Sequence, residues 1–140
     1  MIKNIRHSGI VVRDIIESYN FYVDLGFMIE SDEIEKGKFL DTILGIDGCE
    51  IRVMKMSCGD QMIELLGYQI ESTFGKDIEK KVNDIGCSHL AITVYDIESV
   101  YKKLTGQGVE FINPPESNGK VKVAFCKDPN DVWLELVEEL

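Results

Sequence analysis

The chain contains two histidines, and each opens a copy of one signature, H-x-x-I-x-V-x-D-I. The first copy carries His7, Ile10, Val12, Asp14 and Ile15; the second carries His89, Ile92, Val94, Asp96 and Ile97. Tyr19 and Tyr101, and then Gly26 and Gly108, follow their histidines at matching distances. Each half also ends on an apolar-Glu-apolar run, Ile63-Glu64-Leu65 and Leu134-Glu135-Leu136. Two imidazoles and two carboxylates form a ligand set for one divalent ion. A carboxylate centred in an apolar strand is costly to bury unless it is paired or bound to a cation. A single strand histidine is ordinarily a hydrogen-bonded core residue or a surface residue, and a single strand glutamate is ordinarily solvated. The recurrence of both at the same place in a duplicated unit is what points to a metal centre built from His7, Glu64, His89 and Glu135.

These side chains need strands to aim them. Residues 4–12 alternate as a strand, and Asp14 reads as the N-cap of a helix with Glu17 completing a capping box. Ile15, Ile16, Tyr19, Tyr22 and Val23 give that helix an apolar stripe, which Gly26 ends. Phe27 to Glu30 begins a second strand. Residues 31–47 are polar and glycine-containing around a short apolar stretch from Phe39 to Ile46. Glu50 to Met56 and Gln61 to Tyr68 read as a hairpin around the turn at Ser57–Asp60. The second half repeats this order. Cys87 to Tyr95 is a strand, and Asp96 caps a helix that ends near Gly106–Gly108. Val109 to Ile112 is a strand broken by Pro114 and Pro115. Val121 to Cys126 and Val132 to Glu138 flank the turn at Asp128–Asp131.

The expected fold is therefore α+β, with two βαβββ modules in one compact domain. The first module spans 1–70, a charged and partly helical connector 71–86, and the second module 87–140. One internal duplication with copies half a chain apart is not a solenoid repeat.

Alternation along strands sorts the side chains by face. His7, Gly9 and Val11 share one face, and His89, Ala91 and Thr93 share its counterpart. The opposite Ile/Val faces are apolar and are expected to cover the helices. Glu64 groups with Met62 and Leu66, and Glu135 with Trp133 and Val137. Both histidines and both glutamates are thus expected on the side away from the helices, beside the small residues Gly9 and Ala91. Arg52, opposite Ile51 and Val53, is a candidate for holding an anionic substrate group, with Lys120 and Lys122 as lesser candidates. Trp133 and Met54 are candidate cavity-lining residues.

The bulk properties narrow the function classes. The 140 residues carry a formal net charge of −10. That opposes a nucleic-acid or anionic-membrane partner, since both require clustered basic residues. The four cysteines, Cys49, Cys58, Cys87 and Cys126, form no CxxC pair and no zinc spacing. No signal peptide, membrane-spanning run, phosphate loop or Ser/Cys nucleophile signature is evident, and a reducing cytoplasm is the expected setting.

The residues quoted above, together with Met62–Leu66 and the run from Asp128 through Trp133 to Val137, resemble the vicinal oxygen chelate superfamily. That group contains glyoxalase I, methylmalonyl-CoA epimerase, fosfomycin-modifying enzymes, extradiol dioxygenases and bleomycin-resistance proteins. The resemblance covers nearly the whole chain. It implies paired βαβββ modules whose curled, open mixed sheet surrounds a metal-binding cavity. Carried over position by position, the metal places fall on His7, Glu64, His89 and Glu135. All four are metal-competent here, unlike those of the bleomycin-binding members. Glutamate at position 64, where the epimerases often carry glutamine, favours the glyoxalase type.

The resemblance then implies a metal-dependent lyase/isomerase that moves a proton through a chelated enediolate of an α-hydroxycarbonyl substrate, as lactoylglutathione lyase does. Glu135 is the expected base, with Glu64 its pseudo-symmetric alternative. Zn, Ni, Co and Mn all suit such a site. A methylmalonyl-CoA epimerase-type reaction, an extradiol-type dioxygenase and a non-catalytic drug-binding protein are the competing readings. No segment assignable to glutathione binding is evident. Members of this group exchange modules within or between chains, so a homodimer acting on a small molecule is expected.

Overall fold

The computed structural model describes residues 1–140 other than Ser72, Thr73 and Asp77. It forms two compact units, Met1–Asp77 and Ile78–Leu140. In the first unit the elements are β1 (Ser8–Val11), α1 (Ile15–Asp24), β2 (Met28–Lys36), α2 (Lys38–Leu44), β3 (Glu50–Cys58) and β4 (Gln61–Tyr68). The second unit has β5 (His89–Thr93), α3 (Ile97–Gly106), β6 (Glu116–Ser117), β7 (Val121–Lys127) and β8 (Trp133–Glu139). Each unit holds an open four-stranded sheet, ordered β1-β4-β3-β2 and β5-β8-β7-β6. The first pair in each sheet is parallel and the rest are antiparallel. The parallel pairing is what brings each histidine, at the start of β5 or just before β1, beside its glutamate-bearing strand.

Local chemistry explains the helices. The Asp14 carboxylate accepts hydrogen bonds from the Ile16 and Glu17 backbone N–H groups at 2.9 and 3.0 Å, which satisfies two otherwise orphaned donors at the start of α1. Asp96 does the same for α3 through the Ser99 N–H and hydroxyl. Glu138 adds a bond from the Ile97 N–H at 2.8 Å, tying the start of α3 to β8. Past the end of α1, Gly26 takes φ +101°, a left-handed conformation that glycine adopts without a Cβ penalty.

One face of each sheet packs on its helix. In the first unit Ile10, Val12, Met56, Ile63 and Leu65 are buried there, and Ile15 and Tyr22 are the buried apolar residues of α1. In the second, Ala124, Cys126, Leu134 and Leu136 form the buried sheet face, and α3 buries Ile97 and Leu104. Among the described residues no helix is long and apolar enough to cross a membrane.

Three local expectations are corrected. The segment after β2 forms α2, a helix between β2 and β3 that the sequence reading left as polar connection. Leu40 of α2 is buried with Cys49, Ile51 and Val53, and Ile46, Leu66 and Tyr68 pack against them. Val109 to Ile112 is not a strand: only Phe111 bridges Cys126, and the short edge strand forms later, at Glu116–Ser117. Two prolines in succession remove the N–H groups that a continuous edge pairing needs, so pairing resumes only beyond them. In the connector, Glu71 is in a 3₁₀ turn and the other described residues are not helical; Ser72, Thr73 and Asp77 lie outside the described residues.

Candidate metal centre

The strand registers set the face of each candidate ligand. Gly9 lies beside Glu64 in the β1–β4 pair, and Ala91 lies beside Glu135 in the β5–β8 pair. The two modules therefore use the same register at the same place. His7 immediately precedes β1 and shares the parity of Gly9, so it reaches the Glu64 face. Its Nε2 lies 3.2 Å from Glu64 Oε2. In the second module His89 Nε2 lies 3.1 Å from Glu135 Oε2. All four side chains are partly covered, with Glu64 the most buried at 14% exposure. This face is away from α1: a Cβ on Gly67, which has the opposite parity to Glu64, would meet Ile15 of α1 at 3.3 Å. A Cβ on Gly9 would instead press on Leu66 Cδ1, also at 3.3 Å. The absence of a side chain at Gly9 thus keeps space beside Glu64.

Among the described residues no three or more His, Cys, Asp or Glu side chains are gathered as a metal-holding group. The donors come instead as one imidazole–carboxylate couple per module.

The donor chemistry of these couples fits a divalent ion. Each sets a ring nitrogen against a carboxylate oxygen within hydrogen-bond distance, so a cation between them satisfies both. Among the described residues, His7 Nδ1 is buried without a hydrogen-bond partner. His89 Nδ1 is partnered by Ser88 Oγ at 3.1 Å.

The modules differ in what faces the carboxylate across the neighbouring strand. Lys55 lies opposite Glu64, with Nζ 3.8 Å from Oε1. Phe125 occupies the corresponding place opposite Glu135, and its ring meets His89 edge-on at a centroid distance of 5.3 Å. Lys55 was missed by sequence reasoning. It is flanked by Met54 and Met56 in a run whose two faces are both apolar, so its facing follows only from the register with β4.

The substrate-binding candidates separate. Trp133 lies beside His89 and shares its face; its Nε1 donates to the Lys80 carbonyl at 3.0 Å, and Lys127 Nζ sits 5.0 Å from its ring centroid. Arg52 and Met54 do not join this face. They lie beside Gly67 and Leu65, on the α1 side. Arg52 makes a two-point contact with Asp32 at 2.8 and 2.7 Å, and the hydrogen bonds to this guanidinium hold the Asp32 carboxyl below its ordinary range. Lys122 is likewise turned to the helix side, where it pairs with Glu98 of α3 at 3.0 Å. A groove of about 410 Å³ lined by Tyr101, Thr105, Val109 and Phe111 contains none of the four candidate ligands. None of the four cysteines is disulfide-bonded; Cys49 and Cys126 are buried, and burial followed by the charge of Asp128 pushes the Cys126 thiol up to about 12.

Comparison with known proteins bears on the fold and the family. Residues 4–136 match the model of the glyoxalase/bleomycin resistance protein/dioxygenase superfamily. The chain is 30% identical to a lactoylglutathione lyase of Schizosaccharomyces pombe, over 96% of its own length and 47% of the relative's. It thus spans about half the length of that curated relative. A glyoxalase family protein from Bacillus cereus superposes with a TM-score of 0.92 at 20% identity, covering 100% of this chain and 96% of the other. A fosfomycin resistance protein from Listeria monocytogenes, solved with Mn(II) and a dihydroxypropylphosphonic acid, superposes with a TM-score of 0.66 at 13% identity, covering 97% and 90%. Both structural likenesses bear on fold alone.

Proposed function

The chain belongs to the glyoxalase/bleomycin resistance protein/dioxygenase superfamily, and from that premise we propose that it is a metal-dependent lyase/isomerase of glyoxalase I type acting on an α-hydroxycarbonyl compound. The observation that carries the proposal is the pair of His/Glu couples at identical register positions in the two modules. In this reading His7, Glu64, His89 and Glu135 hold one divalent ion, with both couples drawn from one chain or from two copies of it. Zinc, nickel, cobalt and manganese all suit such donors. When bound, the ion supplies Lewis-acid polarisation of neighbouring substrate oxygens.

The chain's own residues divide the remaining work. Glu135 is the base: its carboxylate accepts the proton from the carbon beside the substrate carbonyl and returns it. Its neighbours are Phe125 and Ala91, so no ammonium competes across the strand for its lone pairs. Glu64 faces Lys55, and that attraction makes it the less available of the two. Trp133, beside His89, contributes apolar surface that excludes water from the proton in transit. Return of the proton to the adjacent carbon gives the isomerisation; return to the opposite face of the same carbon gives an epimerisation.

The test is elemental analysis of the purified protein, followed by proton–deuterium exchange with small α-hydroxycarbonyl and acyl-thioester compounds. Metal-dependent exchange that disappears in Glu135→Gln while metal is retained supports the proposal. Exchange confined to acyl thioesters reassigns the reaction to an epimerase. Absence of both bound divalent metal and metal-dependent exchange leaves a binding protein.

A further inference from the structure

We propose that Ser88 is a positioning residue that fixes the tautomer of His89, so that the ring presents the Nε2 lone pair toward Glu135. Hydrogen-bond direction sets the tautomer. The Ser88 hydroxyl lies 2.7 Å from the Val82 carbonyl oxygen. A carbonyl only accepts, so the single hydroxyl proton is committed to Val82. Ser88 Oγ can then only accept from His89 Nδ1, which lies 3.1 Å away. Nδ1 therefore carries the proton, and in the neutral ring Nε2 is the unprotonated nitrogen.

That nitrogen faces Glu135 Oε2 at 3.1 Å. Two lone-pair-bearing atoms at this separation repel unless a cation lies between them. A serine that orients the ring from behind thus prepares the couple for a metal ion before one arrives, and a second polar partner of this kind tunes the ligand as well as aiming it. The same short segment holds another large side chain on this face, since the Lys80 carbonyl accepts from Trp133 Nε1. Lys80 to Val82 therefore act as a backbone strap whose carbonyls set Trp133 directly and His89 through Ser88. Among the described residues the first module has no equivalent: His7 Nδ1 is buried without a partner. The two histidines are thus predicted to differ in tautomeric restraint although their registers are identical.

The metal consequence rests on the proposed function; the tautomer does not. The experiment uses the full-length, 15N-labelled, metal-free chain at a pH above the imidazole titration, with ring protonation read from long-range 1H–15N correlations. His89 is expected as the Nδ1–H tautomer. Ser88→Ala is expected to shift it to Nε2–H, donating to Glu135, and Ser88→Thr to restore Nδ1–H. Zn(II) added to the same samples, with affinity read by chelator competition, is expected to bind Ser88→Ala about tenfold to a hundredfold more weakly than wild type. A wild-type His89 protonated at Nε2, alone or at both nitrogens, overturns the proposal. So does a Ser88→Ala spectrum with the wild-type tautomer. If the tautomer responds as stated while neither protein binds Zn(II), the positioning role stands and the metal reading of the function falls.

Discussion

Replacing Lys55 by methionine is expected to tighten divalent-metal binding. Lys55 Nζ lies 3.8 Å from Glu64 Oε1, with the lysine side chain 36% exposed and the glutamate 14%. Opposite unit charges about 4 Å apart attract by about 1 kcal/mol in water and about 4 kcal/mol at an effective dielectric near 20. A pair whose lysine reaches solvent falls toward the lower figure. A cation taking Glu64 gives up that attraction and meets the repulsion of the ammonium as well. A net gain of about 1.4 kcal/mol on removing the charge corresponds to about tenfold tighter binding. Methionine keeps the length of the side chain and suits its neighbours Met54 and Met56. Chelator-competition titration with Zn(II) or Mn(II), at low and high salt, reads the effect; the advantage of the variant should shrink as salt screens the charge. The mirror substitution, Phe125→Lys, places an ammonium opposite Glu135 and should weaken binding by a similar factor. Unchanged affinity in both variants, or tighter binding in Phe125→Lys, refutes the assignment of these carboxylates to the metal.

Four further outcomes follow from the packing, the caps and the cysteines. Leu65→Ala, at a fully buried position on the α1-facing side of β4, should cost about 2–5 kcal/mol in urea unfolding, with the loss growing as the cavity fails to collapse. Asp14→Ala removes the acceptor for two N–H groups and should cost about 0.5–2 kcal/mol, whereas Asp14→Asn should recover most of it. In the native protein iodoacetamide should label the exposed Cys58 and Cys87 and spare Cys49 and Cys126. The Cys126 thiol pushed up to about 12 also makes the folded chain hold a proton that the unfolded chain releases above about pH 8.5. Its contribution is full below that value and declines as pH rises toward 12, so Cys126→Ala should flatten the alkaline limb of the stability curve.

The sequence by itself determined the duplication, the helix caps at Asp14 and Asp96, and the grouping of each histidine with its glutamate. Those features are local. Capping is set within a few residues, and alternation along a strand fixes which side chains travel together on one face. The register decided the rest. Arg52, on the face opposite Ile51 and Val53, was expected to hold a substrate group, and Met54 to line the cavity. In the structure α1 covers one face of this sheet and α2 the other, so β3 is buried on both faces and its alternation carries no direction. Pairing with β4 breaks that tie, sending Arg52 toward α1 and Lys55 toward Glu64. Helix α2 itself was illegible because it starts at Gly37 without a side-chain cap and leaves Phe39 and Ile43 exposed; Leu40 secures it through contacts with β3 and β4, which no local pattern encodes. The Val82–Ser88–His89 relay was hidden for a similar reason, since a hydroxyl does not show in its sequence context which backbone carbonyl will claim its proton.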